Sequence, residues 1–175
     1  MSVSAEKGLL RKEFLRLRSS LLPQEKAALD ASIASRVLQN DAYLSADTVL
    51  CYISLPDEID TRPILVDAWE RGKRVAVPRC EKGGKMDFYE ISSYADLEGG
   101  MYGILEPTES CALVLPKSDD LCIVPCLAVD DRRSRLGYGG GYYDRYLSSH
   151  CVRTLGLCYA SCLTRDLPHD AFDVQ

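Results

Sequence analysis

Histidine is nearly missing from this sequence: His150 and His169 are the only two in 175 residues. Eight cysteines are present, yet no two form a C-x-x-C pair, so the chain offers no plausible zinc set. The same shortage, with no G-x-S-x-G elbow, leaves little room for a Ser-His nucleophile. No apolar run approaches the roughly 18 residues that a membrane helix needs, and no signal-peptide pattern opens the chain. Internal repeats and low-complexity tracts are absent as well. Net basic charge is lacking: 21 Lys and Arg against 26 Asp and Glu give −5. That balance argues against a broad footprint on nucleic acid or anionic lipid, while leaving room for a local basic pocket. Cys51, Cys122 and Cys158 lie in strand-like apolar runs, where a free thiol behaves as a small hydrophobe. The expectation is a reduced, cytoplasmic protein, monomeric, with no nucleic-acid or membrane partner.

What is present is an ordinary globular composition, 46% apolar and 27% charged, in a length that suits one domain over residues 1–175. The stretch that organises the chain is LAVDDRRSRLGYGGGYYDRYL, residues 127–147. Four glycines (Gly137, Gly139, Gly140, Gly141) fall within five positions, with Arg135 and Leu136 before them and Tyr142, Tyr143, Asp144 and Arg145 after. An apolar run at 121–124 leads in and a helix-like run at 142–147 leads out. Glycine permits positive φ and close approach, and a helix start offers unpaired N–H groups, so the arrangement suits an anion. Gly140 is expected to need the positive φ. The loop is neither a Walker A motif, since no Gly-Lys-Ser/Thr follows, nor G-x-G-x-x-G, since Tyr142 takes the last glycine's place. The competing reading is a flexible surface loop. Flexible linkers are padded with Ser and Gly rather than Arg, paired Tyr and Asp, which favours a phosphate-holding loop.

In chain order, residues 4–21 read as an amphipathic helix with Ser4 as a candidate cap and Leu10, Phe14, Leu17 and Leu21 at helical spacing. Lys7, Arg11 and Arg18 form a basic row on it, which taken alone reads as a solvated face. Pro23 opens a second helix with Leu29, Ile33 and Val37 inward. Strands are expected at 48–53, at 74–77 (stopped by Pro78), at 86–91, at 121–124 and at 154–159. A third helix opens at Thr61 with Pro63 and closes at Gly72. The segment GGMYGILEP, 99–107, reads as irregular. Alternating strands and helices predict an α/β three-layer sandwich with a mostly parallel sheet and right-handed crossovers. In such sheets the loop SLPDEID, 54–60, lies where ligands bind.

The segment RLGYGGGYYDR closely resembles the signature of the 5-formyltetrahydrofolate cyclo-ligase family, the methenyltetrahydrofolate synthetases, and the likeness extends from Lys7 to the last residues. It implies a Rossmann-like sandwich related to sugar-phosphate isomerases and CoA transferases. It also implies an ATP-dependent C–N ligase that turns 5-formyltetrahydrofolate into 5,10-methenyltetrahydrofolate with release of ADP and phosphate. By that resemblance Lys7 and Arg11 contact ATP, and Arg135, Leu136, Gly137, Tyr138, Gly139, Gly140, Gly141, Tyr142 and Tyr143 form the nucleotide loop. Gly140 and Tyr142 in that loop also face the folate. Ile53 and Glu58 touch the folate, and Tyr102, Gly103 and Glu106, in or beside GILEP, lie near it. Asp144 is associated with Mg²⁺, and Lys7 and Arg145 carry the catalytic assignment.

Three positions depart from the family pattern: Cys126 and Arg133 stand where glycine is usual, and Val129 where phenylalanine is. Arg133 is therefore expected to alter the turn before the loop. The family pattern continues into one more strand with a second metal-linked aspartate; Asp173 matches the aspartate before it and is not assigned to metal. Two other readings stay open. One is an ATP-independent sugar-phosphate isomerase-like enzyme, which the Lys7/Arg11 pair and the loop argue against. The other is a folate- or nucleotide-binding relative without turnover.

Overall fold

The structure, a computed structural model, describes residues 2–81, 83–100, 103–171 and 173–174. The first helix, α1, is Val3–Ser19, starting earlier than expected because Ser2 rather than Ser4 caps it, its Oγ accepting the Ala5 N–H at 3.3 Å. Its buried residues are Lys7, Phe14 and Arg18, so part of the basic row turns inward. Helix α2, Pro23–Leu38, buries Asp30, Ala34 and Val37. Of the expected inward residues, Val37 is buried and Ile33 packs part-buried against the core, while Leu29 is exposed. Asp30 can face inward because Tyr159 Oη donates to it at 2.6 Å and Lys26 Nζ at 2.7 Å. A short helix not foreseen, α3, Asp41–Ser45, is capped by Asn40 and seats the fully buried Tyr43. Helices α4, Arg62–Glu70, and α5, Tyr142–Ser149, complete the set.

Six strands make the central sheet: β1 Thr48–Cys51, β2 Arg74–Cys80, β3 Met86–Glu90, β6 Leu113–Val114, β7 Leu121–Pro125 and β10 Arg153–Leu157. Their order is β10-β7-β1-β2-β3-β6, with β10, β7, β1 and β2 parallel and β3 antiparallel to both its neighbours. Between β3 and β6, the segment expected to be irregular forms the antiparallel pair β4 Leu97–Gly99 and β5 Leu105–Pro107. Strand β2 runs through Pro78, which pairs with Phe88 of β3. Its last recorded β1 partner is at Ala76, so the proline nitrogen falls where no ladder bond to β1 is required. A second sheet orders β11-β8-β9, built from β8 Ala128–Asp130, β9 Arg135–Leu136 and β11 Leu163–Thr164.

Strand alternation sorts the core into two layers. Val49, Cys51, Val75, Val77, Leu121 and Ile123 face a cluster shared with Phe14 of α1, Val37 of α2 and Ile64 and Leu65 of α4. Leu50, Ala76, Cys122 and Val124 face the other way, onto Met86, Phe88 and Tyr146 of α5. The sequence thus gives the three layers directly, since strands buried on both faces read as unbroken apolar runs. From β1 the chain crosses by α4 to β2 on one side; from β7 it crosses by α5 to β10 on the other. The sheet order therefore switches direction between β1 and β7, and the loops leaving their carboxyl ends open onto the crevice where α/β sheets bind ligands.

Candidate active site

The route from β7 to the glycine loop is not direct. It passes through the β8–β9 hairpin, whose turn is held by the buried carboxylate of Asp130. That side chain accepts N–H bonds from Arg132 at 2.9 Å, Ser134 at 2.8 Å and Leu167 at 3.0 Å. Within the turn Arg133 takes φ 66°, the left-handed conformation that glycine adopts freely. Its N–H donates to Asp130 O at 3.0 Å. Asp130 thus holds the arginine in a conformation that glycine favours.

Beyond β9, Gly139 has φ 103° and Gly141 φ 66°. Gly140 does not have positive φ, which corrects the expectation placed on it. Its constraint is steric instead, because a Cβ there would lie 2.8 Å from the Tyr142 ring. Gly141 is the N-cap of α5 and offers no side chain to the helix's first N–H groups. Residues 138–140 are exposed, so the loop is open to a ligand.

Three basic side chains hold this loop in place. Arg11 Nε donates to Gly137 O at 2.8 Å, and its guanidinium sits so close that a Cβ on Gly139 would lie 3.3 Å from it. Arg145 reaches back from α5, donating to Gly140 O at 2.6 Å and to Gly84 O at 2.8 Å. Arg135 Nη2 pairs with Asp144 at 2.7 Å, and the same carboxylate oxygen accepts the Val174 N–H at 3.3 Å.

Lys7 is brought not to the loop but to the carboxylates near the end of the chain, Asp173 at 2.5 Å and Asp170 at 3.1 Å. Burial works against its charge, but hydrogen bonds and charge from those two partners outweigh it and hold the ammonium above its ordinary range. A cleft of about 510 Å³ opens beside this pair, lined by Val3, Glu6 and Leu10 of α1, by Arg132, and by 166–169.

Glu58 closes the other side. Following β1, Ile53 packs part-buried against the core and the chain turns so that Glu58 is 8% exposed, its Oε2 accepting the Leu55 N–H at 2.9 Å. Burial raises its pKa, opposed by the Leu55 N–H, by Tyr138 and by the charge of Arg18. Glu106 on β5 is also buried and accepts the Cys80 N–H at 3.2 Å. No hydrogen bond among the described residues ties it to Glu58 or to the glycine loop. Gly103 is exposed with φ 74°; Tyr102 lies outside the described residues.

The match to known proteins runs along the whole chain. The model of the 5-formyltetrahydrofolate cyclo-ligase family matches residues 3–175. The chain belongs to that family. Among its relatives, the 5-formyltetrahydrofolate cyclo-ligase of Escherichia coli is 30% identical over 163 residues, 90% of each chain. The probable 5-formyltetrahydrofolate cyclo-ligase of Schizosaccharomyces pombe is 33% identical over 150 residues, 81% of this chain and 74% of that one. The 5,10-methenyltetrahydrofolate synthetase structure from Aquifex aeolicus superposes with a TM-score of 0.83 at 31% identity, covering 96% of this chain and 85% of that one.

Within this cyclo-ligase fold, no group of three or more His, Cys, Asp or Glu side chains among the described residues is arranged to hold a metal ion. Asp144, beside the loop, is already engaged by Arg135, whose side chain is 10% exposed. Asp144→Asn is therefore expected to lower stability by about 1–3 kcal/mol, because it strips a shielded guanidinium of its counter-charge. Urea denaturation measures this; an unchanged midpoint would show that the pair is not structural.

One contact of the loop was not foreseen: the Tyr138 hydroxyl accepts a hydrogen bond from Arg18 Nη1 at 3.1 Å. Arg18 was noted only as the end of a basic row; its distance of 11 residues from Lys7, three helical turns, was the available signal.

Proposed function

We propose that the chain cyclises 5-formyltetrahydrofolate to 5,10-methenyltetrahydrofolate at the expense of ATP. The formyl group on N5 is amide-like, and its oxygen is a poor leaving group. Transfer of the γ-phosphoryl group from ATP to that oxygen releases ADP. N10 then attacks the activated carbon within the same molecule, the N10 proton is lost, and the oxygen departs as part of inorganic phosphate. Phosphoryl transfer needs positioning and neutralised charge rather than a protein nucleophile, and the ring closure needs a held geometry.

The observation that carries this reading is the glycine loop itself, exposed at 138–140 and pinned by Arg11 of α1 at Gly137 O and by Arg145 of α5 at Gly140 O. On the nucleotide side, the loop and the α5 N-terminus present backbone N–H groups to phosphates, while Lys7, Arg11 and Arg145 supply positive charge. The cleft against α1 is of a size that suits a base and sugar. Mg²⁺, which commonly binds through one or two carboxylates plus substrate phosphates, would arrive with the nucleotide and meet Asp144. The metal supplies charge neutralisation; the protein's task is to orient the phosphates and exclude water. On the folate side, Glu58 offers a shielded carboxylate that follows Ile53 in the chain, and Gly103, Glu106 of β5 and Tyr142 are proposed to border the folate.

The test is calorimetric titration with a non-hydrolysable ATP analogue and with 5-formyltetrahydrofolate, each alone and in the presence of the other. Both are expected to bind together. Mutual exclusion, or failure of either to bind, would overturn the two-substrate site.

A further inference from the structure

Helix α2 turns a carboxylate inward, Asp30, which is 6% exposed and so needs partners. One of its oxygens, Oδ1, accepts from the buried Tyr159 hydroxyl at 2.6 Å. The other, Oδ2, accepts from Lys26 Nζ one helical turn back, at 2.7 Å. An i,i+4 ion pair of this kind is complete with its two members. Lys26 goes further, because the same Nζ also donates to the main-chain carbonyl of Glu58 at 2.7 Å. That bond is charge-assisted, and the lysine side chain is only 23% exposed, which shields it from competing water.

Glu58 is thereby held at three points. Its N–H donates to Leu55 O at 2.9 Å, its Oε2 accepts the Leu55 N–H at 2.9 Å, and its carbonyl accepts from Lys26. The first two bonds lie inside the turn, so they fix its shape and not its place in the molecule. Ile59 O accepts from Tyr52 Oη at 3.2 Å, which is local as well. Among the described residues, the Lys26 bond is the one hydrogen bond that fastens the main chain of 54–60 to another element. Strand β1 ends at Cys51, too far back to set where the Glu58 carboxylate stands.

We propose that Lys26 is a positioning residue for the folate: held by Asp30, it places the main chain of Glu58 and with it the carboxylate that meets the substrate. This rests on the reading of Glu58 as a substrate contact. The clasp joins three parts of the chain, Tyr159 after β10, helix α2 and the loop after β1, and neither Lys26 nor Asp30 has to touch the folate. A positioning group displaced by about 1 Å can cost on the order of a hundredfold in rate, so a main-chain anchor outside the contact surface is enough to matter.

The test compares Lys26→Met, Lys26→Met combined with Asp30→Asn, and Glu58→Gln in the full chain, by urea denaturation and by the KM for 5-formyltetrahydrofolate and for ATP. Lys26→Met keeps an apolar stem and removes the bond to Glu58, but it also leaves Asp30 without its cation, so the unfolding midpoint should fall. Adding Asp30→Asn removes the unpaired charge and keeps an oxygen for Tyr159, so the midpoint should recover. The Glu58 carbonyl is unsupported in both variants. Both are therefore expected to raise the folate KM about tenfold with the ATP KM within about twofold. If Lys26→Met does not fold, the double variant decides. A folate KM that returns to wild type together with the midpoint, or an equal loss for both substrates, would make Lys26 a structural staple and overturn the proposal. If Glu58→Gln raises the folate KM while the double variant leaves it unmoved, the positioning role is overturned and the Glu58 reading survives. If Glu58→Gln itself leaves the folate KM unchanged, both are overturned.

Discussion

Gly139→Val is expected to remove nucleotide binding from an otherwise folded protein. Gly139 has φ 103°, outside the region that a branched residue enters without strain. A Cβ there would also stand 3.3 Å from the Arg11 guanidinium, which is itself bonded to Gly137 O. The loop can relieve the strain only by turning its peptides, and those peptides are the proposed phosphate contacts. The residue is exposed, so the penalty on folding is held to about 1–3 kcal/mol. Affinity for a non-hydrolysable ATP analogue should fall about tenfold or more. Gly140→Val is a useful contrast: its Cβ meets only the Tyr142 ring, the movable end of a side chain, and a smaller loss is expected. Wild-type ATP affinity in Gly139→Val would remove the loop from the nucleotide site.

Glu58→Gln should separate stability from function. In the folded chain burial raises the Glu58 pKa above its unfolded value. The folded state then binds that proton more tightly than the unfolded one, so ionisation subtracts stability as pH rises from the unfolded pKa through the raised one, and the deficit persists at neutral pH. Glutamine carries no charge and still accepts the Leu55 N–H, so the ligand-free variant should be as stable as wild type or slightly more so. A folate that donates two hydrogen bonds to the carboxylate would lose one and meet an NH₂ instead, at a cost of about 1–3 kcal/mol in binding. The expected result is a raised folate KM, an unchanged ATP KM and an unfolding midpoint no lower than wild type. A fall in stability with equal loss for both substrates would mean that Glu58 is a structural staple.

Local patterning carried most of the fold. The central strands were legible because runs such as LCIV at 121–124 are apolar throughout, and the helices because Pro23, Pro63 and the Leu10–Phe14–Leu17 spacing mark them. Pairing across long separations was not legible. Two-residue strands such as β9 and β11 have no period to read, and Pro78 continues a strand only because of where β1 stops. The pairing of Leu97–Gly99 with Leu105–Pro107 was hidden by the nearby glycines, which signal turns as readily as close approach: a Cβ on Gly100 would collide with Glu106 at 2.4 Å. In the site, the glycine loop and Arg11 could be found from sequence, since one is local and the other came with the family resemblance. The attachment of Arg18 to Tyr138, and of Lys7 to Asp170 and Asp173, depends on side chains meeting across 120 to 166 residues, which no spacing rule conveys.

The most direct measurement of the central proposal is a coupled assay of the purified chain with ATP and 5-formyltetrahydrofolate, following ADP release and methenyltetrahydrofolate formation together, with and without Mg²⁺. Equimolar ADP and methenyl product are expected, neither forming when the other substrate is omitted, and both falling when Mg²⁺ is withheld. Methenyl product without ATP, or tight binding of both ligands with no product, would contradict it.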